Sequence, residues 1–319
     1  MLNRFLHSSA SLVGSAISSQ KLSILIYHQV LESPDPIRDG EPDAETFRWQ
    51  MALLRRYFTP LSLQAAVKHL QAGTLPANAV CVTFDDGYLD NLVVAQPILD
   101  EYDIPATVFV ATHFCEHQEN MWNDRIIDLI ADKQRDRIDL RALGLPSVAL
   151  GGVEERKTVI QRVINLLKYK HIEERYALVQ AIYDDNHAQE YPCKMMTFEQ
   201  IKALSDKGVE IGAHTVMHPI LKSHSEDEQE QQISDSKNKL EQLLGQPVVS
   251  FAYPNGKRGV DYDDVAVKVV NRLGFDIAVS TDWGVSTSDT DKLQLNRFTP
   301  WDLSPLKFHL RLLRNIAGV

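Results

Sequence analysis

Seven short runs of apolar and β-branched residues punctuate the chain, at 23–27, 80–84, 106–110, 209–213, 248–252, 276–280 and 293–298. Their apolar positions read as continuous rather than alternating. A strand with one wet face alternates, whereas a strand covered on both faces does not, so these runs predict buried parallel strands. The intervening segments carry helix punctuation. Thr197 and Gln200 form a capping-box pattern ahead of Ile201 and Leu204, with Gly208 as the stop. Ser225 and Glu228 repeat the device ahead of Ile233, Leu240, Leu243 and Leu244, and Ser304-Pro305 opens a last helix. Strands alternating with helices predict an α/β parallel sheet or barrel. Seven candidate strands predict a barrel with fewer staves than the usual eight.

One stretch breaks the rhythm. From about 115 to 195 the chain holds charged, helix-like segments at 123–133, 153–170 and 172–184, with no convincing strand. It is expected to be a helical insertion after the third strand, on the side where loops build the site, within a single barrel domain spanning 1–319. At the N-terminus, Leu2, Phe5, Leu6, Ser9, Val13 and Ile17 fall at helical spacing. The single Arg4 and thin apolar content fall short of a signal peptide, so a cytoplasmic location is expected, with periplasm or secretion as the alternative.

Composition narrows the function classes. The net charge of -10 is the wrong sign for a protein that grips nucleic-acid phosphates. No apolar run approaches the roughly 20 residues that a bilayer core requires. Cys81, Cys115 and Cys193 are widely spaced and odd in number, which is neither a disulfide framework nor a CxxC knuckle. No GxSxG elbow and no GxGxxG after a strand is present, which speaks against serine-nucleophile and dinucleotide chemistry. Oligomeric state is not legible.

Three clusters at strand ends carry the chemistry. Asp85 and Asp86, in Thr83-Phe84-Asp85-Asp86-Gly87-Tyr88, follow the second run. Alternation sends neighbouring side chains to opposite faces, so both carboxylates reach one site only if the backbone turns, as Gly87 allows. A polar turn capping the next helix is the plain alternative. His214-Thr215-Val216-Met217-His218 follows the fourth run. Two imidazoles four apart, with a carboxylate from elsewhere, make a three-ligand set that leaves positions open for water and substrate. Phe251-Ala252-Tyr253-Pro254-Asn255-Gly256-Lys257 follows the fifth, where a proline-fixed turn can present a backbone N–H as an oxyanion donor or simply be a turn.

In this order the motifs TFDDGY, GAHTVMH and FAYPNG resemble the polysaccharide deacetylases of carbohydrate esterase family four, which includes chitooligosaccharide deacetylases. The resemblance runs from about 24 to 300, apart from the insertion. It implies an irregular (β/α)7 barrel, with Asp85 as general base and Asp86, His214 and His218 as ligands of a divalent metal, zinc above all. The family's third motif opens with an arginine where this chain has Ala252, and Arg297 is the candidate replacement. The family's late Leu-x-His motif, source of the general acid, is absent. His28, ending Ile26-Tyr27-His28 on the first strand, echoes it. First and last strands are neighbours in a closed barrel, so His28 is the candidate acid, as in exopolysaccharide deacetylases whose motifs are circularly permuted. Asn255 is the expected oxyanion donor, and Tyr253 and Trp283 are candidate sugar contacts. His309 is expected in the core.

The resulting expectation is a metal-dependent hydrolase that removes N-acetyl groups from amino sugars of a surface or exported polysaccharide. The alternatives are a deformylase or O-acetyl esterase on a related glycan, or a catalytically idle carbohydrate-binding barrel, the last motivated by the missing arginine.

Overall fold

The computed structural model describes residues 18–300 and 302–318. The helical pattern at residues 2–17 and Trp301 lie outside the described residues. All seven sequence runs form strands: β1 (Ser23–Tyr27), β3 (Ala79–Phe84), β4 (Ala106–Val110), β7 (Glu210–Ala213), β8 (Ser250–Ala252), β9 (Ile277–Trp283) and β10 (Leu295–Arg297). They lie side by side in that order, every pair parallel. β2 (Thr59–Pro60) adds two residues beside β3. Phe298 closes the ring against β1, donating to Ile24 O at 2.8 Å and accepting from Ile26 N–H at 3.1 Å. The result is a nearly closed seven-stave barrel.

Both faces of β1, β3, β4 and β8, and of β9 up to Ser280, are buried, as the continuous apolar runs require. Ile24, Cys81, Phe109, Ala252, Val279 and Leu295 pack together in one cluster. Their strand neighbours Leu25, Val80, Val82, Val108 and Phe251 pack instead in another, with helices α1 (Ala44–Tyr57) and α9 (Glu226–Leu244). Gly212 makes room inside, because a Cβ there would sit 2.4 Å from the Phe109 ring. The outer helices also include α2 (Leu63–Gln71), α3 (Gln96–Glu101), α8 (Phe198–Asp206), α10 (Asp264–Arg272) and α11 (Pro305–Ala317). The capping boxes form as read, on α8 through Thr197 and Gln200 and on α9 through Ser225 and Glu228. His309 is buried beside the rings of Tyr57 and Phe58.

Between β4 and β7 run α4 (Thr112–His117), α5 (Trp122–Ala131), α6 (Val153–Leu167) and α7 (Ile172–Asp185). α5, α6 and α7 share their own core of Ile126, Leu129, Ile160, Val163, Val179 and Ile182. The expectation of no strand here is corrected by a short antiparallel pair, β5 (Arg137–Ile138) with β6 (Val148–Ala149). Two-residue strands leave no periodicity to read.

Candidate active site

The strand ends converge on a cavity of about 470 Å³, lined among others by His28, Asp85, Asp86, His214, His218 and Asn255. This is the end where parallel barrels place their chemistry. Asp85 continues β3, its N–H donating to Tyr27 O at 3.0 Å. The turn that brings the second carboxylate to the same side begins one residue earlier than the sequence suggests. Asp86 itself adopts φ +77°, and Gly87 follows at φ +91°. A non-glycine residue in this region is strained, and such strain persists only where the surroundings over-determine it. Here Asp86 O accepts from Ala111 N–H and Gly87 O from Met196 N–H.

The two carboxylates have opposite surroundings. The Arg297 guanidinium grips Asp85 through two bonds of 2.7 Å, one to each oxygen, and is itself wholly buried. It is anchored by Nε donating to Ser280 O at 2.7 Å. Burial alone would raise the Asp85 pKa; Arg297 overrides it and holds the carboxyl well below the usual range. Asp86 has no such partner. Burial pushes its pKa up to about 7, with Asp85 adding to the rise. Arg297 therefore stands against the aspartate as the expected replacement for the arginine missing at Ala252.

Among the described residues Asp86 Oδ1 is buried with no hydrogen-bond partner, yet it lies 3.5 Å from Nε2 of both His214 and His218. His214 Nδ1 contacts Ala252 O at 2.7 Å, which places the proton there and leaves the Nε2 lone pair facing Asp86. Burial lowers the His214 pKa to about 4 and drives His218 well below its ordinary value, so both imidazoles are neutral at pH 7. Three donors at such spacing suit one divalent cation, because a tetrahedral ion with bonds near 2.1 Å spaces its ligands by about 3.4 Å. The three ligand atoms all lie within 4.8 Å of one another.

His28 lines the same cavity, directly after β1. Burial lowers its pKa, but the charges of Glu41, Asp86 and Asp85 outweigh that and the net shift is upward. Asn255 sits in the turn after β8 at φ +56°, held by Thr281. The Thr281 hydroxyl donates to Asn255 O at 2.6 Å and its N–H to Gly256 O at 2.8 Å. A Cβ on Gly256 would meet Thr281 N at 2.9 Å, so only glycine closes this turn.

The two expected sugar contacts fare differently from the rest. The Tyr253 side chain is fully buried, stacks on Tyr262 at 3.8 Å and donates to Leu293 O at 3.0 Å. It is a core residue, because alternation along β8 turns it away from the cavity. Trp283 is half-exposed and packs edge-on against Phe298, outside the cavity lining.

Other lining residues had no role in the sequence reading. Arg38 and Glu41 come from the loop after β1, Trp122 and Asp124 from α5, and Lys168 from the end of α6. Tyr88, which belongs to the TFDDGY motif, donates to Asp124 at 2.7 Å. The insertion thus forms one wall of the site, tied to the loop after β1 by the Arg38–Asp128 pair and to the loop after β8 by Lys168–Asp261. No spacing signal could have found these residues, since the partners in these pairs lie 36 to 93 positions apart.

Comparison with known proteins places the chain in a family and agrees with its fold. A family model described as polysaccharide deacetylase matches residues 72–134 and 151–278, more than half of the chain. The polysaccharide deacetylase YxkH of Bacillus subtilis (strain 168), so described as a provisional assignment, is 21% identical over 278 residues, which is 87% of this chain and 70% of that one. Among solved structures, the deacetylase PplD of Streptococcus pyogenes superposes with a TM-score of 0.61 at 23% identity, covering 92% of this chain and 98% of that one. IcaB from Ammonifex degensii does so at 0.58 and 19%, covering 92% and 96%. The BpsB deacetylase domain from Bordetella bronchiseptica follows at 0.53 and 17%, covering 88% and 96%. At these identities the structures speak for the fold alone, and they agree with the seven-stave barrel; the family match covers all of the TFDDGY, HTVMH and FAYPNG segments. The chain belongs to the polysaccharide deacetylase family.

Proposed function

We propose that this site is a metal-dependent N-deacetylase centre acting on N-acetylated amino sugars of a surface or exported polysaccharide. The single observation that carries the reading is the buried Asp86 Oδ1, without a hydrogen-bond partner among the described residues and equidistant from two neutral imidazoles, beside a second carboxylate held ionised by Arg297. Asp86, His214 and His218 would hold the ion, and two imidazoles with one carboxylate suit Zn²⁺. Such an ion supplies Lewis-acid polarisation of the acetyl carbonyl and makes water a nucleophile near neutral pH.

The chain's own groups do the rest. Asp85 accepts the proton of the attacking water. Its grip by Arg297 makes it a weak base at rest and fixes its direction, so the transfer belongs to the moment of attack. The Asn255 N–H, in a turn fixed by Thr281, faces the oxyanion that develops on the carbonyl. His28, its pKa raised by the charges of Glu41, Asp86 and Asp85, is the donor that delivers a proton to the departing nitrogen. The missing third-motif arginine, which motivated an idle binding barrel, has its counterpart in Arg297.

The test is direct. Incubating the zinc-loaded protein with a panel of N-acetylated oligosaccharides should release acetate and expose new primary amines in equal amounts. Formate from N-formyl sugars, or acetate from O-acetyl sugars without new amines, would favour the related acyl chemistries. Binding of glycan with no acyl release would contradict the enzymatic reading.

A further inference from the structure

Of the buried arginines outside the proposed chemistry, Arg125, Arg156 and Arg175, the last reaches the ligand loop. Arg175, on α7 of the insertion, is 3% exposed. Burial alone lowers its pKa, to about 10, with no carboxylate opposing the shift, so the guanidinium stays charged. It lies 4.8 Å from the Trp122 ring. Its Nη2 donates to two successive carbonyls, Met217 O and His218 O, each at 3.3 Å.

Those carbonyls end the loop that presents the second histidine of the ligand set. That loop departs from ordinary backbone twice, at Thr215 (φ +66°) and at His218 (φ +50°). A β-branched residue in the left-handed region is an outlier, and such geometry survives only when its surroundings enforce it. The enforcement can be followed bond by bond. Thr215 O accepts from Thr112 N–H at 3.2 Å and Val216 O from His113 N–H at 3.1 Å. Met217 N–H donates to Gln232 on α9 at 2.8 Å, and His218 N–H to Thr215 Oγ1 at 3.1 Å. Arg175 takes the last two carbonyls. A planar guanidinium can serve two adjacent acceptors with little freedom to lose, which an ammonium on a flexible stem cannot match.

We propose that Arg175 is a positioning residue of the metal centre: from the insertion it clamps the Met217 and His218 carbonyls and so holds the His218 imidazole toward Asp86. It touches neither ion nor substrate. The proposal rests on the metal reading above, and extends it by making the insertion part of the centre.

The experiment compares wild type, Arg175→Ala, Arg175→Lys and Tyr183→Phe. Tyr183→Phe removes a bond inside the insertion, Tyr183 hydroxyl to Arg125 O at 2.8 Å, and leaves the His218 loop alone. Zn²⁺ affinity is read by competition with a chromophoric chelator, the ligand field by the visible spectrum of the Co²⁺-loaded protein, and folding by thermal melts without metal. Arg175→Ala should weaken Zn²⁺ binding by about tenfold or more, the scale of losses when a ligand's supporting bonds are cut, and change the Co²⁺ bands. Arg175→Lys should recover part of both, and Tyr183→Phe should bind as wild type. Arg175→Ala within twofold of wild type, with unchanged bands, overturns the proposal; so does equal weakening by Tyr183→Phe, which would make the cause a general loosening of the insertion. If Arg175→Ala does not fold, Arg175→Lys decides: several-fold weaker binding supports the clamp and unchanged binding overturns it. A folded wild type that takes up no ion contradicts the metal reading itself, and the clamp with it.

Discussion

At the scale of single residues, two adjacent aspartates have opposite surroundings, and the proposed division of roles rests on that difference. Asp85 is neutralised by Arg297 and Asp86 is left facing two imidazoles. Asp85→Asn should therefore retain its metal while losing about 10²-fold or more in turnover, checked by metal analysis beside acetate release. Loss of the metal would show that the two roles are wrongly divided. Arg297→Ala leaves an uncompensated carboxylate among buried groups and should cost about 3–5 kcal/mol of stability in a denaturant melt. His28→Ala should lower turnover on amides far more than on an activated O-acyl ester, whose leaving group needs less protonation. Equal losses on the two would speak against His28 as the acid. Most of these residues were legible from motif and strand-end position: Asp85, Asp86, His214, His218, Asn255 and Arg297 converge as expected. Tyr253 was not, because alternation continues one residue past β8 and turns its ring into the core beside Tyr262. Trp283, at the end of β9, is half-exposed as a rim aromatic would be, with its ring edge-on to Phe298 and outside the cavity lining.

At the scale of elements, the seven main strands were legible because burial on both faces writes an unbroken apolar run, and α8, α9 and α11 because their caps are side chains. What stayed hidden was what short contacts decide: β2, the β5–β6 pair, and which side chains of the insertion line the site, although its place on the side of the site was legible. The turn after β3 is the element on which both carboxylates depend. Gly87 lies at φ +91°, and a Cβ there would sit 3.2 Å from Cys115 Sγ and 3.3 Å from Val110 Cγ1. Gly87→Ala should thus destabilise by more than the roughly 1 kcal/mol of ordinary glycine replacements and weaken metal binding as Asp86 shifts. A melt and an affinity matching wild type would mean that the turn tolerates a side chain.

At the scale of the whole molecule, one barrel end gathers residues separated by more than 200 positions, from β1 to β10, and the insertion closes over it. Burial of that end sets the pH response of metal uptake. Both imidazoles are already neutral above their lowered pKa values, so the competing proton sits on Asp86, pushed up to about 7. Affinity for Zn²⁺ should be level above that pH and fall by about tenfold per unit below it, one proton being displaced per ion bound. An affinity unchanged from pH 8 to 5 would contradict this assignment. The central claim, that Asp86, His214 and His218 hold an ion on which amide hydrolysis depends, has one direct measurement. The protein is stripped with a chelator and titrated with Zn²⁺ while acetate release from an N-acetylated oligosaccharide is followed, for wild type and His214→Ala. Activity that returns to wild type with one equivalent of zinc, and not to a folded His214→Ala at any ratio, is the expected result; full activity in the stripped protein, or equal recovery in the variant, would contradict it.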